Sequence, residues 1–162
     1  MSRPVPGRWR SLFEKGTELP KVNASVTVPA SPARTWETAA DISRFDEWMS
    51  LHDGWRGDLP VEITEGTALT SVVKVMGLRN RISWLVESYA PPSSLAISGH
   101  GVGGVRVTLS LSVRPDGSSG STITIDAEVT GRPVFGPIGM ALGRAVRADM
   151  RKSVAALAEL VG

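Results

Sequence analysis

Between Val22 and Thr130 apolar and polar residues alternate with period two over several short stretches, and near the end of the chain the spacing becomes helical. Val22, Ala24, Val26 and Val28 alternate with Asn23, Ser25 and Thr27, which predicts a strand closed by Pro29. Ser31 before Pro32 is an N-cap with proline at the first helical position, and predicts a helix from Pro32 to about Asp41. A second short helix is expected over Ser43–Leu51, with Phe45 and Trp48 at i, i+3. Gly54 to Gly66 reads as loop or short strand. Strands follow at Thr67–Met76, Arg81–Tyr89 and Leu95–Gly99, separated by a turn at Gly77–Asn80 and by Pro91-Pro92. The cleanest strand carries Val105, Val107, Leu109, Leu111 and Val113 on one face. Asp116–Gly120 then signals a hairpin into Thr122–Thr130. Strands with one apolar and one polar face belong to an antiparallel sheet that is wet on one side.

From Ile138 to Leu160 the pattern is that of one long amphipathic helix, which buries its stripe most simply by lying across that sheet. At 100° per residue, with Leu142 at zero, Val146 falls at about +40°, Ile138 at about −40° and Leu157 at about +60°. Asp149 falls at roughly −20°, inside the apolar stripe. Three readings of it stand side by side: a pair with an arginine or hydroxyl across the helix–sheet gap, a pocket carboxylate that orients a ligand, or an escape to solvent. Unpaired in an apolar pocket, its pKa would rise and it could act as an acid, so Asp149 is the candidate catalytic residue.

Composition narrows the functional classes. The 162 residues, 41% hydrophobic and 21% charged, suit one globular domain. Residues 1–21 differ, being rich in proline, glycine and basic side chains, and are expected to form an N-terminal arm ahead of a domain at 22–162. A net charge of +2, with the basic residues scattered, gives no footprint for nucleic acid. No apolar run is long enough for a transmembrane segment, and a soluble cytoplasmic protein is expected. The chain has no cysteine, which removes thiolate metal sites and a cysteine nucleophile.

The chemical motifs are weak. Gly99–Gly104 matches G-x-G-x-x-G but runs into a strand rather than a helix, so no dinucleotide is expected; a close backbone approach explains the glycines better. His52 and His100 lack carboxylate partners at ligand spacing, so no metal and no other cofactor is expected. Trp36, Trp48 and Trp84 occupy apolar-face positions that suit a core, while Trp48 and Trp55 flank a loop where rings could line a cavity mouth. The run Pro133–Met140 reads either as a packed helix entry or as a pocket gate in which Val134 and Phe135 meet ligand or partner. The expected cavity set is Trp48, Trp55, Trp84, Val107, Leu109, Leu111, Phe135, Ile138, Leu142, Val146 and Asp149.

Val28-Pro-Ala-Ser-Pro-Ala-Arg-Thr-Trp36 followed by Asp41-Ile-Ser-Arg-Phe45-Asp-Glu-Trp48 resembles the opening of the SRPBCC, or START-like, superfamily. Trp55-Arg56 before Leu59-Pro60, then Gly77–Trp84, Gly101–Val105, Gly136–Met140 and Arg147-Ala-Asp149, resemble an actinobacterial branch of it. The resemblance covers roughly Val22 to Gly162. It implies an α+β helix-grip fold, in which a curved antiparallel sheet wraps a long C-terminal helix and two short helices follow the first strand. It also implies a hydrophobic small-molecule ligand, lipid-like or polyketide-like. A mycobacterial member of the branch is described as the toxin of a type II toxin–antitoxin pair, which implies an antitoxin protein as a partner. The alternative is an aromatase or cyclase acting through polar cavity residues. By alternation, however, Arg81 and Arg106 face solvent.

Overall fold

The computed structural model describes residues 21–131 and 136–162. Strand β1 (Val22–Val28) turns Val22, Ala24 and Val28 inward, as its alternation requires. Helix α1 (Pro32–Ala39) starts where expected: the Ser31 hydroxyl accepts the Arg34 N–H at 3.3 Å. It stops short of Asp41 because that carboxylate caps a new turn, accepting the Ser43 N–H at 3.1 Å. The single second helix expected over Ser43–Leu51 is instead a 3-10 turn at Ile42–Arg44 followed by one α-turn, α2 (Phe45–Trp48).

Strands β2 (His52–Arg56), β3 (Ala68–Val75), β4 (Leu78–Ala90), β5 (Ser94–His100), β6 (Arg106–Asp116) and β7 (Gly120–Thr130) follow. With β1 they form one sheet of order β1-β7-β6-β5-β4-β3-β2, with each neighbouring pair antiparallel. The turn expected at Gly77–Asn80 is tighter. Met76 and Gly77 alone join β3 to β4, with φ of 55° and 77°. Positive φ at both central positions is the two-residue turn whose twist matches the flanking strands, so Arg79 and Asn80 already belong to β4.

The sheet curls as a half-barrel, and helix α3 (Gly136–Val161) packs against β1, touching α1, α2, β3 and β7. This is the α+β helix-grip fold. The buried face of α3 is Val146, Met150, Ser153, Val154, Leu157 and Val161. On the helical wheel that face centres about 70° from Leu142, so Leu142 and Leu160 are half-buried at its edge. The predicted stripe was rotated because it overlooked Met150, Val154 and Val161. Asp149 therefore sits at the border of the apolar face rather than inside it. No helix among the described residues is long and apolar enough to cross a membrane. Apart from Lys21, the expected N-terminal arm lies outside the described residues, as do Val134 and Phe135.

Candidate functional site

Helix α3 and the concave face of the sheet do not close on one another; they leave a cavity of about 390 Å³. Part of the reason is a glycine. Gly99 pairs directly with Trp84 across β5 and β4. A Cβ at Gly99 would lie 2.5 Å from Ile82 Cγ2 and 2.7 Å from Trp84 Cε3, so the indole rests on bare backbone. Its Nε1 donates to the buried Ser71 hydroxyl at 2.7 Å, which fixes the ring. The glycine-rich stretch thus serves close packing, as its passage into a strand predicted.

A second device lies in β2. His52 pairs with Val73 and Trp55 with Ser71, with a register shift between them. Strict alternation would send His52 and Trp55 to opposite faces. The bulge, with Gly54 at φ +121°, brings both rings to the cavity, 4.8 Å apart between centroids. Trp55 Nε1 donates to the Ile42 carbonyl at 2.8 Å, and Phe45 packs 5.8 Å from its ring.

The lining is otherwise largely aliphatic, with Val105 just ahead of β6, and with β6, β7 and α3 contributing Val107, Leu109, Val129, Val146 and Met150. Apart from the bonded tryptophan N–H groups, His52, Ser71 and Asn80 are the polar side chains among the described lining residues, and none carries a fixed charge. Burial holds the His52 imidazole below its ordinary pKa, against the opposing pull of Asp46 and Asp53. The Asp53 carboxylate is itself bridged to Arg79 at 2.9 Å. Among the described residues no three histidine, aspartate or glutamate side chains are placed to hold a metal ion.

Of the residues expected to line a cavity, Trp55, Trp84, Val107, Leu109, Leu142 and Val146 meet on its wall. Trp48 and Leu111 are elsewhere in the core, 3% and 6% exposed, where they edge a separate void of about 20 Å³. Trp48 is also the one described side chain whose buried nitrogen has no hydrogen-bond partner. Ile138 is in α3, but its side chain lies outside what is described. Asp149 is not on the wall: its carboxylate accepts from the Ser50 hydroxyl at 2.9 Å. Ser153, fully buried, donates to the Asp149 carbonyl at 2.7 Å and accepts the Ser50 N–H at 3.0 Å. Asp149 thus helps latch the loop after α2 onto α3, meeting a hydroxyl rather than an arginine. Arg81 and Arg106 are exposed, as alternation requires.

Sequence reasoning weighed His52 only as a metal ligand and did not place His52, Asn80 or Met150 on the cavity. The signal for His52 was Gly54 inside His52-Asp-Gly-Trp55, since a glycine within a strand pattern marks a bulge. Asn80 was hidden by the turn assigned to it, and Met150 by the rotated stripe.

The family model described as polyketide cyclase / dehydrase and lipid transport matches residues 20–162. An uncharacterised Mycobacterium tuberculosis protein, Rv1546, is 40% identical over 144 residues, covering 89% of this chain and all of that one. Another protein of that organism, named toxin Rv0910, is 40% identical over 136 residues, covering 84% of this chain and 94% of the relative. Among solved structures, a START superfamily protein from Mycobacterium smegmatis superposes with a TM-score of 0.68 at 19% identity, over 87% of this chain and 96% of the other. The Zhui aromatase/cyclase from a Streptomyces species gives 0.69 at 14%, over 87% and 92%. At such identities these two likenesses concern the fold alone.

Proposed function

The chain belongs to the polyketide cyclase / dehydrase and lipid transport family, and from that premise we propose that it binds an apolar small molecule, lipid-like or polyketide-like, between α3 and the sheet. One observation carries this reading: a cavity of about 390 Å³ whose wall is almost wholly hydrocarbon and aromatic. Pockets of this size and character suit drug-sized apolar ligands, because each buried apolar surface gains free energy in proportion to its area. Trp55 and Trp84, fixed by their N–H bonds, offer ring surface without loss of side-chain entropy on binding. The test is titration with the neutral dye N-phenyl-1-naphthylamine. One saturable site, competed by a bulky apolar residue introduced at Val107 (Val107→Trp), is the expected result. Absence of saturable binding, with no apolar molecule co-purifying by native mass spectrometry, would overturn the reading.

A role as the toxin of a toxin–antitoxin pair is a second reading, supported by the 40% identity to a protein named as a toxin. Its test is growth on strong induction: arrest that a co-expressed neighbouring gene relieves supports it, and unimpaired growth removes it. The aromatase or cyclase alternative leaned on Asp149 as an acid inside the cavity. With Asp149 held by Ser50 outside the wall, that alternative loses its candidate residue.

A further inference from the structure

We propose that the bound molecule is uncharged and carries a hydroxyl or carbonyl group on the edge that faces His52, Ser71 and Asn80, bonded to one or another of them, and that carboxylates and ammonium groups are turned away. The inference rests on the binding reading above and adds to it the class of ligand.

Sheet register places the three groups together. His52 pairs with Val73 on β3, and Val73 pairs with Asn80 on β4, so His52 and Asn80 flank Val73 in one row across the sheet. Ser71 is one pleat along β3 from Val73, on the same face. Polar groups thus surround a single valine on one wall. The facing wall, through Val107, Leu109, Val129 and Val146, offers none.

Each of the three has hydrogen-bonding capacity left over. Ser71 Oγ accepts the Trp84 N–H, which leaves its hydroxyl proton to donate. Asn80 Oδ1 accepts the Val102 N–H at 3.3 Å, which leaves its amide hydrogens. Neither ring nitrogen of His52 has a partner among the described residues, and the neutral ring that burial favours offers one donor and one acceptor. A hydroxyl or carbonyl can use any of these.

A charge finds no match. No lysine, arginine, aspartate or glutamate lines the cavity among the described residues. Asp53 and Arg79, close in sequence to His52 and Asn80, are bridged to one another. Across two strand spacings His52 and Asn80 are about 10 Å apart at the backbone, too far to grip one carboxylate together. Desolvation of an ion would therefore go unrepaid.

The experiment compares three probes of one size at pH 7 on the whole protein, followed by tryptophan quenching: 2-naphthol, 2-methylnaphthalene and 2-naphthoate. The hydroxyl probe is expected to bind about fivefold or more tightly than the methyl one, the factor of one net hydrogen bond. Naphthoate is expected to bind at least about tenfold more weakly than naphthol. His52→Phe and Asn80→Leu should shrink the first ratio towards one while keeping methylnaphthalene binding. Should either variant fail to fold, the wild-type ratios still decide. Equal affinities, or naphthoate binding tightest, would overturn the inference and leave apolar binding intact. No saturable binding of any probe would take both readings down.

Discussion

Strands β5–β7 with α3 form one wall of the cavity and strands β2–β4 the other, and they are built by different rules. On the first wall the β5–β6 and β6–β7 pairings run without a break in register, and the side chains facing inward are aliphatic. On the second, β2 is bulged at Gly54, the β3–β4 turn holds Met76 at a φ of 55°, and the polar lining residues all occur there. Regular pairing fills space and stabilises. Irregular pairing aims particular side chains: the bulge in β2 brings the His52 and Trp55 rings to one face where period two would not, while Ser71 and Asn80 reach the cavity through the unbroken β3–β4 register.

If that division is right, damage to the regular side should cost stability and spare binding. Leu157 is fully buried on α3 and does not line the cavity. Leu157→Ala is expected to lose about 3 kcal/mol, within the usual span for a buried leucine. Urea denaturation measures it, and dye affinity should be unchanged in the folded variant. A loss below about 1 kcal/mol would mean the α3 interface is not tightly packed.

Ser71 tests the other wall, where structure and site coincide. Ser71→Ala removes the acceptor of the Trp84 N–H and leaves it buried, a cost of about 1–3 kcal/mol. Here stability and binding should fall together, since the indole that loses its bond also lines the cavity. Trp84→Phe in the Ser71→Ala background should recover part of the stability lost, because the orphaned donor is gone.

The same division explains what could be read in advance. The strands β1 and β3–β7, α1 and the long helix were legible because each carries a long enough run of its apolar period, in β4 the run Ile82, Trp84 and Val86 ahead of its register shift, and six of the expected wall residues are on the cavity. Edge strand β2 was legible only in part. A period-two reading has no place for the extra residue between His52 and Trp55, and Gly54 was taken as the start of a loop or short strand. Asp149 misled for a related reason: a wheel centred on Leu142 gives no weight to Met150, Val154 and Val161, whose burial sets the true face. Ser50, its partner, is 99 residues away in sequence, and no local pattern announces that contact.

Met76 sharpens the comparison with a smaller effect of opposite sign. A left-handed conformation costs a non-glycine residue about 1 kcal/mol, and asparagine before glycine suits this turn far better. Met76 is nevertheless 58% exposed and reaches the cavity lining. Met76→Asn is expected to raise stability by about 0.5–1 kcal/mol in urea, while weakening dye binding through the lost apolar contact. A variant that is more stable and binds as well as the wild type would show that the strained turn serves no purpose at the site.

His52 gives the smallest effect and tests whether the polar wall is held neutral. Its folded pKa lies below the ordinary 6.5, chiefly because burial disfavours the cation, with Asp46 and Asp53 pulling the other way. Just below pH 6.5 the unfolded chain takes up a proton at this position that the folded chain does not. The contribution to stability is therefore fully present above 6.5 and is lost as pH falls through the depressed folded value, below which both states are protonated. Other groups titrate over the same range, so the comparison is a double difference: urea midpoints of wild type and His52→Gln, at pH 7.5 and pH 5. The wild type should lose more on acidification than the variant. An equal loss would place the imidazole in water-like surroundings, and a smaller loss would mean that the two aspartates outweigh burial and that the wall carries a cation.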